Sequence, residues 1–370
     1  MREVRVQDAV GMVLCHDITE IVRGERKGAC FHKGDIIRAE DVPVLLRIGK
    51  EHIYVWEDDP NLLHENDAAA VLRDICQSEH MAASEPKEGK IELTATTAGV
   101  FEVNEDALNA VNEIEDVMIA TIAQHMPVKV GTKLAGMRVI PLVIDKTVME
   151  RVRETAGTEP LLRILPYQKM KVGVVTTGSE GFHGRIKDTF TPVIDAKLRA
   201  FGLKVDEHRL SDDGTEHTRA AIAELLDAGM DMVLCTGGMS VDPDDRTPAA
   251  IKATGARIVT YGAPVLPGAM FLLAYYEKDG RQVPIMGLPG CVMYSPATIF
   301  DIILPRVVAG SAWTRREITR LGIGGLCMEC KVCHYPVCPF GKSGVQWFFV
   351  SGYMPCANTS LASDRALVRL

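Results

Sequence analysis

Four cysteines fall inside the run CMECKVCHYPVCPFGK, Cys327 to Lys342. Their spacing is Cys327-x2-Cys330-x2-Cys333-x4-Cys338, and Pro339 follows at once. Four thiolates so close in sequence can complete a tetrahedral zinc site or hold an iron–sulfur cluster. The C-x2-C-x2-C run and the proline after the last cysteine follow the ferredoxin pattern, while the four-residue gap before Cys338 departs from its usual three. Zinc sites more often use two separated C-x2-C knuckles than one overlapping run. The spacing therefore predicts a 4Fe-4S cluster ahead of Zn2+, with His334 or Cys356 as a substitute ligand. Thiols this crowded would be open to oxidation unless ligated.

Three glycine-rich stretches form a second set: TTGSEGFHGRIKDT (Thr176 to Thr189), TGGMSVDPDDRTP (Thr236 to Pro248) and GLPGCVMYSP (Gly287 to Pro296). Each follows an apolar run that reads as a strand, KVGVVTTG, MDMVLCTGG and QVPIMG, the last entered through a hairpin at Asp279-Gly280. Each is followed by a helical pattern. TPVIDAKLRAFG carries Val193, Ile194, Leu198 and Phe201 at helical spacing; TPAAIKATG has Thr247 as N-cap with Pro248 first in the helix; SPATIFDIILPRVVAG closes the unit. Alternating strands and helices predict an open, mostly parallel α/β sheet over residues 169–312. Ligands of such sheets bind beyond the carboxyl ends of the strands, where glycines let backbone N–H groups face an anion. His183 could act as an acid or base there, and Arg185, Lys187 and Arg246 could meet a phosphate or remain solvated loop charges.

The elements that position these loops sit in a chain of 370 residues, enough for roughly two to four compact units. Residues 1–90 hold short strand-like runs, a helix opening near Ala39 or Asp41 with Leu45, Leu46 and Ile48 inward, and a polar stretch ending in SEPKEGK. Residues 91–168 are mixed α/β or β-rich, and 313–370 form a small C-terminal β unit around the cysteines. Hydrophobic residues at 47% and charged residues at 24% are those of a globular chain. A net charge of -8 argues against nucleic acid or an anionic membrane as partner. No apolar run approaches the ~20 residues of a membrane helix and no signal-peptide core opens the chain, so a cytoplasmic protein is expected. Ten cysteines without an export signal point to thiols and thiolates rather than a disulfide framework.

The three loops, in this order and spacing, resemble the molybdopterin-binding domain shared by the MoeA, gephyrin and MogA proteins of molybdenum-cofactor assembly and by the CinA proteins. The first loop is similar to the CinA-type pattern G-D-E-x-x-x-G-x-I-x-D-T through Gly178, Glu180, Gly184, Ile186, Asp188 and Thr189. The second joins the T-G-G-x-S-V start of MoeA to the D-x-T-P ending of MogA, which places Asp245 on the family's acidic position. The third, with PVLPG (Pro264 to Gly268) before it, resembles the P-G and G-L-P-G-N-P segments. More loosely, residues 1 to about 165 look like the N-terminal half of a MoeA-like protein.

The resemblance implies a protein of molybdenum- or tungsten-cofactor biosynthesis or handling that binds molybdopterin or its adenylated form and transfers metal or nucleotide. Thr177, Gly178, Ser179, Gly237, Gly238 and Ser240 would meet the phosphates; Pro267, Gly268, Gly287, Pro289 and Gly290 would border the pocket. Asp245, Glu180 and Asp188 would be the catalytic acids that hold Mg2+, a hard ion suited to carboxylates and substrate phosphates. Three positions depart from the pattern: Ser179 and Pro243 stand where it has acids, and Cys291 where it has asparagine. Fewer carboxylates weaken phosphoryl-transfer chemistry. That keeps two alternatives open, a non-enzymatic carrier or insertion factor for a molybdoenzyme, and a CinA-like nucleotide pyrophosphatase. The implied partners are pterin and nucleotide small molecules, with a homo-oligomeric assembly.

Overall fold

The computed structural model describes residues 1–22, 26–55, 59–178, 189–212 and 214–342. No helix among them is long and apolar enough to cross a membrane. At the N-terminus, strands Arg2–Arg5 and His52–Val55 pair antiparallel and Ile18–Val22 pairs with Arg26–Phe31 in a hairpin. They enclose a small core of Val6, Leu14, Ile18, Ile37, Leu45 and Ile53. The short helix spans Val42–Arg47 and buries Leu45, but Leu46 is 39% exposed, because a helix of six residues has room for one inward position.

A second core runs from Ala68 to Ile164. Helices Glu65–Cys76, Glu105–Asn112 and Lys146–Ala156 pack with small antiparallel sheets in which alternation sorts the faces: Ile91, Leu93 and Ala95 are buried along one strand. Helix Glu65–Cys76 thus shares a core with strands far beyond residue 90. Its N-cap is a buried histidine. His64 Nδ1 accepts from the Asn66 N–H at 3.2 Å, which leaves Nε2 as donor to the Cys15 carbonyl at 2.8 Å. A neutral ring therefore joins the first core to the second.

The second core meets the central unit at a buried polar cluster. His125, at φ 60°, packs edge-on to Trp313, and burial, aided by nearby Arg306 and opposed by Glu317, lowers its pKa from 6.5 to about 4. A histidine held neutral by folding charges first in the unfolded chain. Its contribution is complete above pH 6.5 and lost as pH falls toward 4, by about 2 kcal/mol at pH 5. His125→Asn, which tolerates the left-handed backbone, should flatten this slope. Urea midpoints at pH 7 and pH 5 for both proteins give the answer; parallel changes would show that His125 does not control it.

The central sheet has six strands in the order Val205–Ser211, Val172–Thr177, Met232–Thr236, Arg281–Leu288, Leu272–Lys278, Arg257–Tyr261. The first three pairings are parallel and the last two antiparallel. The sheet is thus mixed, because Leu272–Lys278 turns back through the expected hairpin at Asp279-Gly280, where both residues take positive φ. Met232–Thr236 is buried at every position, as a strand covered on both faces must be. The four parallel strands end at Thr177, Ser211, Thr236 and Leu288 along one edge. Helix Thr247–Ala253 starts one residue earlier than expected: Arg246 is its N-cap, and Thr247 uses its hydroxyl elsewhere.

After helix Ile299–Val308, residues 313–342 pack on the same core through Trp313, Ile318, Leu321 and Phe340. The described part of the expected C-terminal β unit holds helix Arg315–Arg320 and a single bridge, Leu266 to Leu326. The strand-like runs after Lys342, and Cys356, lie outside the described residues.

Candidate functional site at the carboxyl edge of the sheet

Buried threonines stitch the strand ends together. The Thr177 hydroxyl donates to the Thr236 carbonyl at 3.1 Å and lies 3.2 Å from the Thr247 hydroxyl, which donates to the Gly237 carbonyl at 2.9 Å. Beside them Thr236 donates to the Thr176 hydroxyl at 3.2 Å, and that hydroxyl shares a 2.9 Å hydrogen bond with His208 Nε2. These links fix the start of the second loop against the end of the first strand.

Glycine is required at the join. Gly237 has φ 84°, and a Cβ there would lie 2.3 Å from the Thr177 carbonyl oxygen; at Gly238, φ 58°, it would lie 2.7 Å from the Thr247 hydroxyl. Gly178 is different. At φ 140° it donates its N–H to the Ser211 carbonyl at 3.1 Å, and a Cβ would meet nothing within 4 Å among the described residues. Thr177, Gly178, Gly237 and Gly238 are thus brought together, with Ser240 exposed on the loop that follows.

Asp245 sits half-buried in that loop, its N–H bonded to the Asp242 carbonyl at 2.9 Å, while Asp242 and Asp244 are exposed. The Tyr261 hydroxyl donates to the Met239 carbonyl at 3.3 Å; burial raises its pKa, and the Asp245 charge adds to the effect. Ser179, Glu180, His183, Gly184, Arg185, Ile186, Lys187 and Asp188 lie outside the described residues.

The third loop is placed from behind. Gly287 packs against Met239, and Gly268, at φ 128°, against Ile299, where a Cβ would lie 2.4 Å from Cγ2. Pro267 accepts from the Ile299 N–H at 3.2 Å, and Pro289 is buried. Pro267 and Gly268 therefore seat the helix after the loop, while Gly290 is exposed with open space where a Cβ would go. Thr298 and Asp301 cap that helix as a capping box. Lys197 Nζ, from helix Phe190–Arg199, lies 2.6 Å from Asp301 Oδ1 and donates to the Pro296 carbonyl at 3.1 Å. Burial, with Asp301 nearby, raises the Cys291 thiol pKa, so it is neutral at physiological pH and no activated nucleophile.

The four cysteines at 327–338 are not gathered. Cys330 and Cys333 are exposed, Cys327 and Cys338 half-buried, and no three His, Cys, Asp or Glu side chains converge on a metal-sized site among the described residues. The metal centre expected from spacing is thus absent from the described arrangement, because the residues between these cysteines form neither helix nor strand that would aim them inward. Lys197, Asp301, Met239, Tyr261 and His208 carried no sequence signal: each acts through a partner far away in the chain.

Residues 173–309 match the family model described as a probable molybdopterin binding domain, and residues 3–57 match one described as a domain of unknown function. The chain is 27% identical over 159 residues to a molybdopterin molybdenumtransferase of Staphylococcus epidermidis, covering 40% of this chain and 37% of that protein. It is 25% identical over 197 residues to the molybdenum cofactor synthesis protein cinnamon of Drosophila melanogaster, covering 49% and 32%. The chain thus spans about a third of the length of these relatives. Among solved structures, the tungsten cofactor synthesizing protein MoaB of Pyrococcus furiosus aligns at 22% identity and TM-score 0.30, over 34% of this chain and 84% of that one. The α/β unit at residues 173–309 is thus similar to a probable molybdopterin binding domain, a match that covers this unit and not the rest of the chain.

Proposed function

We propose that this unit binds molybdopterin or its adenylated form and that the chain serves molybdenum- or tungsten-cofactor biosynthesis. The observation that carries this reading is the edge cradle itself. Gly237 and Gly238 are locked onto Thr177 and Thr247, and no described residue fills the space a Cβ of Gly178 would take, where a phosphate would lie. Backbone N–H groups in such a turn, ahead of a helix, suit an anion without any cationic side chain. Asp245, with the ligand's own phosphates, would hold Mg2+, which takes few protein ligands and keeps several waters. Magnesium would neutralise phosphate charge there. Ser240, exposed on the same loop, would donate to the same oxygens.

A second reading, a carrier that delivers the cofactor to a molybdoenzyme, draws on the same loop. Pro243 occupies an acid position, and Asp242 and Asp244 are exposed. With one half-buried carboxylate among the described loop residues, the site is better suited to holding a phosphate than to transferring one.

The test is a titration of the full-length chain with molybdopterin, followed by pterin fluorescence, with and without Mg2+. Micromolar or tighter binding, weakened roughly tenfold by Asp245→Asn only when Mg2+ is present, is expected. No binding under either condition would overturn the reading. Nucleotide turnover in the same samples separates transferase from carrier, and dinucleotide hydrolysis without pterin would instead single out a pyrophosphatase.

A further inference from the structure

The amino ends of the parallel strands, opposite the edge cradle, frame a cleft of about 470 Å³. Val172, Met232 and Arg281 begin three of those strands, and the cleft lies between Gln168–Met170, Asp231 and the end of helix Ile299–Val308. Its volume falls within the roughly 300–1,000 Å³ of small-molecule sites. Strand Val172–Thr177 separates it from the cradle, and at about 3.3 Å per residue the two lie roughly 17 Å apart.

The floor is apolar, with two hydroxyls set into it. Val283, Pro284 and Val307 are buried, and Tyr275 is 4% exposed. The Tyr275 hydroxyl accepts from the Trp313 N–H at 2.9 Å, and the half-buried Ser311 hydroxyl accepts from Arg306 Nη2 at 3.1 Å. Neither has an acceptor for its own hydrogen among the described residues, so each keeps a donor for whatever enters the cleft. Burial raises the Tyr275 pKa against the hydrogen bond from Trp313 and the charges of Arg306 and Arg257, so the phenol keeps its proton.

The rim is cationic. Arg281 Nη1 lies 2.9 Å from Asp231 Oδ1, while Asp231 Oδ2 accepts from the Lys171 N–H at 2.9 Å. Both carboxylate oxygens are thus engaged, and the other guanidinium donors of Arg281 have no partner among the described residues. Lys169 is exposed and its ammonium is likewise unpaired there. Two cations of the lining therefore face one carboxylate; Glu277, which takes the Gln282 amide at 2.7 Å, stands outside it. The helix end turns no unpaired carbonyl into the cleft, because Pro305, Arg306, Val307 and Val308 accept from the N–H groups of Ala309, Ser311, Gly310 and Gln168.

We infer that this cleft is a second binding site, for a small organic anion. Its carboxylate or phosphate oxygens take the Tyr275 and Ser311 hydrogens and the charges of Lys169 and Arg281, and its apolar body lies on Val283, Pro284 and Val307. Such a ligand touches residues 168–170, which lead out of the second core, and the end of helix Ile299–Val308, so it fastens that core to the central unit. Binding here is independent of what the edge cradle takes.

The test titrates the full-length chain with benzoate and with phenyl phosphate, which share a ring and differ in the acid, and with benzyl alcohol as neutral control. Millimolar or tighter binding of at least one anion is expected, and the tighter of the two names the acid group. Lys169→Gln/Arg281→Gln, changed at exposed side chains, should weaken that binding about tenfold. Tyr275→Phe should weaken it about threefold while keeping its circular dichroism. With the anion bound, hydrogen exchange at residues 168–171 and 309–313 should slow about fivefold. Failure of both anions to bind, or benzyl alcohol binding as tightly, would overturn the site. Full affinity of both anions in the double variant would do the same by placing them elsewhere, and bound anion with unchanged exchange would overturn the fastening.

Discussion

Glu317→Ala should lower the unfolding free energy by about 3 kcal/mol. Arg306 is 5% exposed, and its Nη1 lies 2.8 Å from Glu317 Oε1. The remaining guanidinium donors reach the Ser311 hydroxyl and the Ala312 carbonyl, and its plane lies 4.2 Å from the Trp313 ring centroid. Removing the carboxylate leaves a desolvated cation hydrogen-bonded to neutral partners only, with Glu102 still acting on it electrostatically. Glu317 itself is about a third exposed, which keeps the effect at the lower end of the range for broken buried pairs. Burial alone would raise the Glu317 pKa, but hydrogen bonds from Thr314 and Arg306 outweigh it, so the net shift is downward from 4.5. A depressed carboxylate stabilises the fold above pH 4.5 and ceases to do so as pH falls through its folded value. The variant should therefore lose stability at neutral pH and little further below pH 4. Arg306→Met with Glu317→Leu should recover most of the loss, because an apolar pair needs no compensation. If the double variant unfolds as easily as Glu317→Ala, the cost lies in the helix cap rather than in the stranded charge.

The same cluster shows where reading the sequence stops. Periodicity places helix Ile299–Val308 and the charge at 306, yet nothing local says that Arg306 turns inward, because its partner follows an intervening turn and its aromatic neighbour is set by tertiary packing. Met232–Thr236 was legible, since five apolar or small residues in a row suit only a strand covered on both faces. Asp279-Gly280 was legible as a hairpin because two adjacent positive φ values restrict the residues allowed. The sheet order was not, as pairing across more than a few residues depends on all strands at once. Thr247 is instructive in between. A threonine before proline reads as an N-cap, but here its hydroxyl is drawn to the Gly237 carbonyl by the close fit that two glycines permit. The three edge loops were recognisable because ligand geometry restricts residue types at fixed spacing. Lys197 and Asp301, 104 residues apart, leave no such trace. The cysteine spacing predicted a metal centre on which the described side chains do not converge, because spacing alone does not say how the chain between them folds.

Gly237→Ala should abolish pterin binding, a loss of at least a hundredfold, and Gly178→Ala should weaken binding with a smaller loss of stability than Gly237→Ala. The two glycines differ in what restrains them. At Gly237 the new Cβ meets a backbone oxygen 2.3 Å away, and the Thr177 hydroxyl stands 2.7 Å off, so no side-chain rotation relieves the clash. The second loop must move from the strand end, breaking the hydrogen bonds between Thr247, Thr177 and the Gly237 carbonyl. Strain at a left-handed φ costs about 1–2 kcal/mol and overpacking about 1–3, so roughly 2–5 kcal/mol of stability should go with the site. At Gly178 the strain applies without such a clash, because no described residue lies within 4 Å of the added methyl. Its effect on binding then reports what enters that open space. A urea melt and a pterin titration on each variant separate the cases. Loss of affinity at Gly178 with no more than the strain cost in stability locates the ligand against the end of the first parallel strand. Full affinity at Gly178 would move the ligand away from that strand and toward Ser240 and Gly290, and full affinity at Gly237 would remove the edge cradle from the binding site altogether.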